Sequence, residues 1–315
     1  MAITLRAPDR ARACVALGAA LACALPSAPA LAECLGMKIH AHRGSADAPE
    51  NSASALRSAY AGDWDGVEID MQQLADGTWV LHHDLTTGRA VLTGGSLPVA
   101  KLTTADWQRA RMTLRGRATN EAPPFLSDAT AIAAAYPDKT FNAEIKEMVG
   151  NCQPIQALVA QLHQAIPHGN WFLTSGLRTP LRCARGADRQ GYLGLIVFDG
   201  RNAEAAASNR WTRLVAQHAS SPHLTRAWML DVVAELGKPV GVHVDAKTMD
   251  ANPMLLEDAA ATGLAVLAYA VDGDTALAGA IGRAHARTNR LPSGAIIDGR
   301  ADNFCALVRQ ATHLR

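Results

Sequence analysis

The chain has 315 residues, 49% of them hydrophobic and 19% charged. That is the composition of a folded globular protein, not of a disordered, collagenous or coiled-coil one. Thirty Lys and Arg stand against 29 Asp and Glu, and the six Trp are scattered, without the regular basic interleaving of a stacking platform. Neither a global basic field nor a stacking platform exists for nucleic acid or an anionic membrane surface, so any partner must be recognised at a local site.

Residues 1–32 read as a secretory signal peptide. Arg6, Arg10 and Arg12 precede a short apolar run, Ala13 to Leu25, and Ala30-Leu31-Ala32 has the small-x-small form of a cleavage site, with the cut after Ala32. The alternative is an N-terminal membrane anchor, for which the run is short. Cleavage leaves a domain over 37–312, no stable membrane span, and a periplasmic or secreted protein of net charge −1 (27 basic, 28 acidic residues). Four cysteines remain. In an exported chain an even number suggests disulfides. Cys34–Cys305 is favoured because a closed barrel brings the chain ends together, and Cys152–Cys183 because it links neighbouring loops; free buried thiols are the alternative.

From residue 38 onward, short β-forming runs alternate with Ala- and Leu-rich stretches. Strands are expected at Lys38–His42, Gly66–Gln72, Thr140–Lys146, Trp171–Ser175, Tyr192–Phe198, Pro239–Asp245, Leu264–Val271 and Ala295–Asp298. Helices are expected at Ser52–Ala61, Thr104–Met112, Ser127–Tyr136, Pro154–Ala165, Thr179–Ala187, Arg226–Leu236, Pro253–Thr262 and Ala301–Thr312, with caps at Thr103 or Thr104 and at Ser127. Thr78–His83 follows Gly77 too closely for a crossover helix and is expected to pair with the second strand or extend its loop. Asn202–Lys238 has room for two helices around Ser220-Ser221-Pro222. Eight strands joined by helices predict a single α/β domain, a (β/α)8 TIM barrel. An open doubly wound sheet competes on pattern alone, but no Gly-rich phosphate loop follows the first strand.

Ionisable residues collect at the early strand ends: His40-Ala41-His42-Arg43, Glu68-Ile69-Asp70, His82-His83-Asp84 and Glu144-Ile145-Lys146. Residues two apart on a strand share a face, and parallel barrel strands end at one mouth. Glu68, Asp70 and Glu144 would then repel one another unless a divalent cation lay between them, and their oxygen donors suit Mg²⁺ or Ca²⁺. Two histidines beside such an ion point to acid–base work, and Arg43 and Lys146 to an anion. The sum is a metal-assisted phosphoryl-transfer site.

His42-Arg43-Gly44, Pro49-Glu50-Asn51, Glu68-Ile69-Asp70, Asp76-Gly77, His83-Asp84 with Arg89, and Glu144-Ile145-Lys146 together resemble the glycerophosphodiester phosphodiesterase family. The resemblance implies a β/α barrel that hydrolyses glycerophosphodiesters to glycerol 3-phosphate and an alcohol. It assigns the metal to Glu68, Asp70 and Glu144, and acid–base roles to His42 and His83 without saying which is which. It places phosphate on Arg43 and Lys146, and makes Glu50 a supporting or substrate-touching residue. It also implies that the substrate's glycerol hydroxyl attacks phosphorus, giving a cyclic intermediate that water opens.

The sequence departs from the family at Asp272, usually Asn, at Asp298, usually preceded by Thr, and at His40, usually apolar. His40 shares a strand face with His42 and could enter the site, and His243 could face the mouth. His82 reads as structural. Two further readings stand beside hydrolysis. One is a related phospholipase D/C-like lyase on lipid phosphodiesters that stops at a cyclic product, which requires an apolar rim at the mouth. The other is a barrel that binds phosphodiesters without catalysis. Failure of Glu68, Asp70 and Glu144 to converge would exclude both enzymatic readings.

Overall fold

The computed structural model describes residues 34–146, 150–200 and 221–314. Strand β1 (Lys38–Ala41), helix α1 (Ala53–Ala61) and strand β2 (Gly66–Gln73) open the chain. Trp79–Leu81 (β3) turns back antiparallel onto Met71–Gln73. The expected accessory strand therefore pairs with the second barrel strand.

An insertion follows. It holds β4 (Val91–Leu92), α2 (Thr104–Arg109), β5 (Arg111–Leu114) and β6 (Arg117–Ala118), a small antiparallel sheet over its own apolar cluster around Trp107 and Met112. Thr103 caps α2 as expected, with Asp106 reciprocating. The helix stops three residues earlier than its composition suggests. Met112 is drawn into strand pairing with Val91, which buries it against the insertion's cluster.

Helix α3 (Leu126–Ala133) begins one residue before its expected start. Ser127 is not its cap, because the Asp128 carboxylate takes up the amide of Phe125. Then come β7 (Thr140–Ile145), α4 (Gln153–Ala165), β8 (Trp171–Ser175), α5 (Arg178–Ala187) and β9 (Leu193–Val197). Of the two helices expected over Asn202–Lys238, α6 (Arg226–Leu236) is present, and the stretch before it lies largely outside the described residues. The chain closes with β10 (Val240–Asp245), α7 (Ala246–Ala251), α8 (Leu255–Thr262), β11 (Ala265–Tyr269), α9 (Asp274–Thr288), β12 (Gly294–Ile297) and α10 (Ala301–Thr312). Helix α9 was not among the expected elements. Gly279 and Gly282 dilute its helical signal, and Gly282 is needed because a Cβ there would lie 2.6 Å from the Ala311 carbonyl.

The parallel strands run in the order β1-β12-β11-β10-β9-β8-β7-β2, and β2 pairs back with β1. This is the closed eight-stranded barrel with helices outside, not the open doubly wound sheet. Period-two geometry divides each strand. Ile39, Ala41, Val67, Ile69, Phe141 and Ala143 join the core shared with the helices, while the alternate residues face the barrel axis. Cys34–Cys305 and Cys152–Cys183 are both bridged, in the favoured pairing. The expected signal segment lies outside the described residues, and no helix among the described residues is long and apolar enough to cross a membrane.

Candidate active site

The register of β2 and β7 sets the carboxylates. Asp70 lies directly opposite Glu144, and Glu68 opposite Asn142. One oxygen from each of Glu68, Asp70 and Glu144 lies within 4.8 Å of the others. Glu68 and Asp70 are buried and Glu144 nearly so, so the three expected side chains do converge.

Charge compensation around them is uneven. Lys146 Nζ lies 3.1 Å from Asp70 and 3.0 Å from Glu144. Arg43 turns back from β1 in a left-handed conformation (φ 57°). Its amide donates to Glu68 at 3.0 Å and its Nε lies 3.3 Å from Asp70. Burial works against the charge on Asp70, but Lys146, His83 and Arg43 outweigh it and hold the carboxyl well below its usual range. At Glu68 the charges of His42 and Arg43 do not outweigh burial. Burial, then the neighbouring Asp70 charge, pushes it up to about 8. Glu144 is raised by burial despite Lys146. A cluster of hard oxygen donors short of positive charge fits a divalent cation.

Asn51 fixes Asp70 from behind, donating from Nδ2 at 2.8 Å and accepting the Asp70 amide at 3.0 Å. Glu50 is held by Arg89 at 2.6 and 2.7 Å and by Arg43 at 3.3 Å.

Both expected histidines line the same cavity, of about 1110 Å³, together with Arg43, Glu68, Glu144 and Lys146. His42 Nδ1 pairs with Asp298 at 2.6 Å and His83 Nδ1 with Asp84 at 2.9 Å. Arg89 also grips Asp84 at 2.6 Å, which joins Glu50 and His83 through one guanidinium. A carboxylate on Nδ1 sets the ring orientation.

The orienting role of Asp298 had no local signal, since 256 residues separate it from His42. Asp84 could have been read from its adjacency to His83. Asn51 sits inside the Pro49-Glu50-Asn51 motif, where nothing local marks its contact with Asp70. His82 is buried, with Nε2 3.2 Å from the Thr86 carbonyl, and packs edge-on to Trp107, consistent with a structural role. His40 does not reach the cavity lining. It lies inside the barrel, 3% exposed, near Phe172, and burial lowers its pKa to about 4. His243 does border the cavity, and its Nε2 lies 3.3 Å from the Tyr192 hydroxyl. Asp272 pairs with Lys247 at 3.2 Å.

The apolar rim demanded by a lipid-directed reading is present, although no loop beside the motifs is rich in Trp or Phe. It is assembled from single residues on separate loops, Leu85, Leu177, Phe198 and Val271, all exposed and all on the cavity lining.

A closed β/α barrel with three carboxylates, two tethered histidines and two cations at the C-terminal ends of its first strands is the architecture of a barrel enzyme site. Residues 42–171 match the model of the glycerophosphoryl diester phosphodiesterase family. The bovine protein named glycerophosphodiester phosphodiesterase 1 is 41% identical over 96 residues, which is 29% of this chain and 28% of that protein. The human protein of the same name is 38% identical over 96 residues. The chain thus spans about a quarter of the length of these curated relatives. Among solved structures, a glycerophosphoryl diester phosphodiesterase from Silicibacter pomeroyi superposes with a TM-score of 0.66 at 17% identity, covering 87% of this chain and 94% of that one. A phosphodiesterase from Oleispira antarctica, solved with the product sn-glycerol-3-phosphate, gives 0.61 at 19% identity, covering 88% and 96%. At these identities the structures establish the fold.

Proposed function

We propose that this protein is an exported metal-dependent phosphodiesterase that hydrolyses glycerophosphodiesters to glycerol 3-phosphate and an alcohol. The observation that carries the proposal is the convergence of Glu68, Asp70 and Glu144 on one another beside a cavity that Glu68, Glu144, His42 and His83 line. The product held by the Oleispira enzyme supports the same substrate class. Two disulfides support an oxidising compartment, periplasmic or extracellular, and with it the reading of residues 1–32 as a cleaved signal.

Glu68, Asp70 and Glu144 would hold one divalent cation, Mg²⁺ or Ca²⁺, which when bound supplies Lewis-acid polarisation of a phosphoryl oxygen. Arg43 and Lys146 draw in the phosphodiester anion and offset charge that develops on its oxygens. Glu50, clamped by Arg89, positions Arg43. The acid and base are His42 and His83, each oriented through Nδ1, with proton transfer running through Nε2. One removes the proton of the attacking glycerol hydroxyl and the other protonates the departing alkoxide; with the roles reversed, the pair then activates the water that opens the cyclic phosphate to glycerol 3-phosphate.

The test is phosphorus NMR of glycerophosphocholine and glycerophosphoethanolamine incubated with the protein in Ca²⁺, in Mg²⁺ and in EDTA. We expect glycerol 3-phosphate only with a cation, and a loss of about 10²–10⁴-fold in rate for His42→Ala. A cyclic phosphate as the end product would replace hydrolysis with the lyase reading. No turnover with either cation would overturn the proposal.

A further inference from the structure

The lysine and arginines on the cavity lining are Arg43, Arg89, Arg115 and Lys146. Three of them are already paired with carboxylates. Arg43 lies against Glu50 and Asp70, Arg89 against Glu50 and Asp84, and Lys146 against Asp70 and Glu144. Arg115 differs. It is exposed, and among the described residues it enters no ion pair or side-chain hydrogen bond.

Arg115 is also held where it is. Leu114 pairs with Arg117 across β5 and β6, so Arg115 and Gly116 form a two-residue hairpin turn. Both have positive φ, 51° and 75°, as a type I′ turn requires. The first position of such a turn favours Asn, Asp or Gly, so the turn geometry alone does not account for an arginine. The hairpin is tied down on two sides. The Thr113 amide donates to the Ala90 carbonyl at 2.9 Å and the Thr113 hydroxyl to the Arg89 carbonyl at 2.7 Å. The Glu121 carbonyl accepts the Met112 amide at 2.9 Å, and its carboxylate accepts the amide and hydroxyl of Ser54 at the start of α1, at 2.9 and 2.6 Å. Thr113, Leu114, Arg115 and Gly116 all line the cavity.

The cavity thus has two places for an anion. One is at the ends of β1, β2 and β7, where Arg43 and Lys146 stand beside the carboxylates. The other is at the insertion hairpin. A guanidinium without a partner is a planar fork that matches a carboxylate or a phosphate, and it repels a cationic headgroup. We propose, on the footing of the phosphodiesterase reading, that Arg115 determines specificity by binding a second anionic group on the substrate's alcohol, a carboxylate or a further phosphate. Both sources share the chemistry the fork recognises.

The experiment measures kcat/KM of the full chain, from initial rates of glycerol 3-phosphate release with an activating cation, on two matched pairs of diesters. Glycerophosphoserine differs from glycerophosphoethanolamine by one carboxylate. Bis(glycerophospho)glycerol, counted per terminal glycerol, differs from glycerophosphoglycerol by one further glycerophosphate. We expect the more anionic member to be favoured about fivefold to fiftyfold in at least one pair, between the worth of an exposed ion pair and that of a hydrogen bond to a charged group. The pair that responds identifies the anion. High salt should narrow the ratio. The ratio should fall toward one in Arg115→Asn, which removes the charge and suits the left-handed position. It should hold in Arg117→Gln, which removes an exposed charge of the same hairpin away from the cavity lining. Circular dichroism melts verify that each variant is folded. Ratios near or below one in both pairs, an equal loss on every substrate in Arg115→Asn, or the same fall in ratio for Arg117→Gln would overturn the inference while leaving the phosphodiesterase reading intact. Absence of turnover on every diester would overturn both.

Discussion

Asp298 does for His42 what Asp84 does for His83: a carboxylate on Nδ1 fixes the orientation of the ring. Burial works against the Asp298 carboxylate, but the hydrogen bond and charge of His42 more than offset it and lower its pKa. Asp298→Asn keeps the shape of the side chain and removes its charge. We expect kcat on glycerophosphocholine to drop about tenfold to a hundredfold, less than the ~10²–10⁴-fold expected when the imidazole itself is removed. Steady-state kinetics of the two variants side by side check the order. At this scale the sequence was legible wherever a function and its neighbours share a strand end. Glu68 with Asp70, and Glu144 with Lys146, could be paired by spacing alone. Asp298 could not be paired with His42, nor Arg89 with Glu50, because those contacts cross from one strand or loop to another.

At the scale of the element, the turn after β1 carries more of the site than any other. Arg43 at φ 57° and Gly44 at φ 86° reverse the chain so that the Arg43 amide meets Glu68. Gly44 also abuts the start of α1, where an added Cβ would lie 2.7 Å from the Ala55 side chain. Gly44→Ala should cost about 1–3 kcal/mol from overpacking and backbone strain. A urea melt should show the lost stability, and activity should fall with it as Arg43 is displaced. The helices flanking the barrel were readable because their apolar faces recur at helical spacing. Helix α9 and strands β5 and β6 were not. Gly282 is in α9 for close packing against Ala311, which weakens the local signal, and β5 is held as a strand by pairing with β4 on one side and β6 on the other. The cap at α3 failed for a related reason: Asp128 bonds to the Phe125 amide, and Ser127 is left within the first turn.

At the scale of the whole molecule, Cys34–Cys305 joins positions 271 residues apart and Cys152–Cys183 positions 31 apart. Each bridge restricts the unfolded chain. The double variant Cys34→Ser/Cys305→Ser should lose about 2–4 kcal/mol, seen as a lower Tm that dithiothreitol no longer changes at that bridge. The barrel interior makes a second global demand. Burial lowers His40 to about 4 and His243 to about 3, so the unfolded chain takes up protons below pH 6.5 that the folded interior refuses. That contribution to stability is complete above 6.5 and is lost as pH falls through about 4 for His40 and about 3 for His243. His243→Asn removes one of the two groups, and the difference in Tm between pH 7 and pH 4.5 should shrink relative to the unaltered protein. An equal difference would mean that His243 is not held neutral.

The sequence by itself determined the class of fold, the three carboxylates, the two histidines and the two cations. Each of these is written in local terms, as a strand period, a residue pair two apart or a motif in one turn. Tertiary structure alone decided what orients the histidines and what rims the cavity. Asp298 reaches His42 only because the last strand pairs with the first. The apolar rim takes one residue from each of several loops, so no segment of the chain carries its pattern. Such features arise from barrel closure, which sets side by side residues that sequence distance keeps apart.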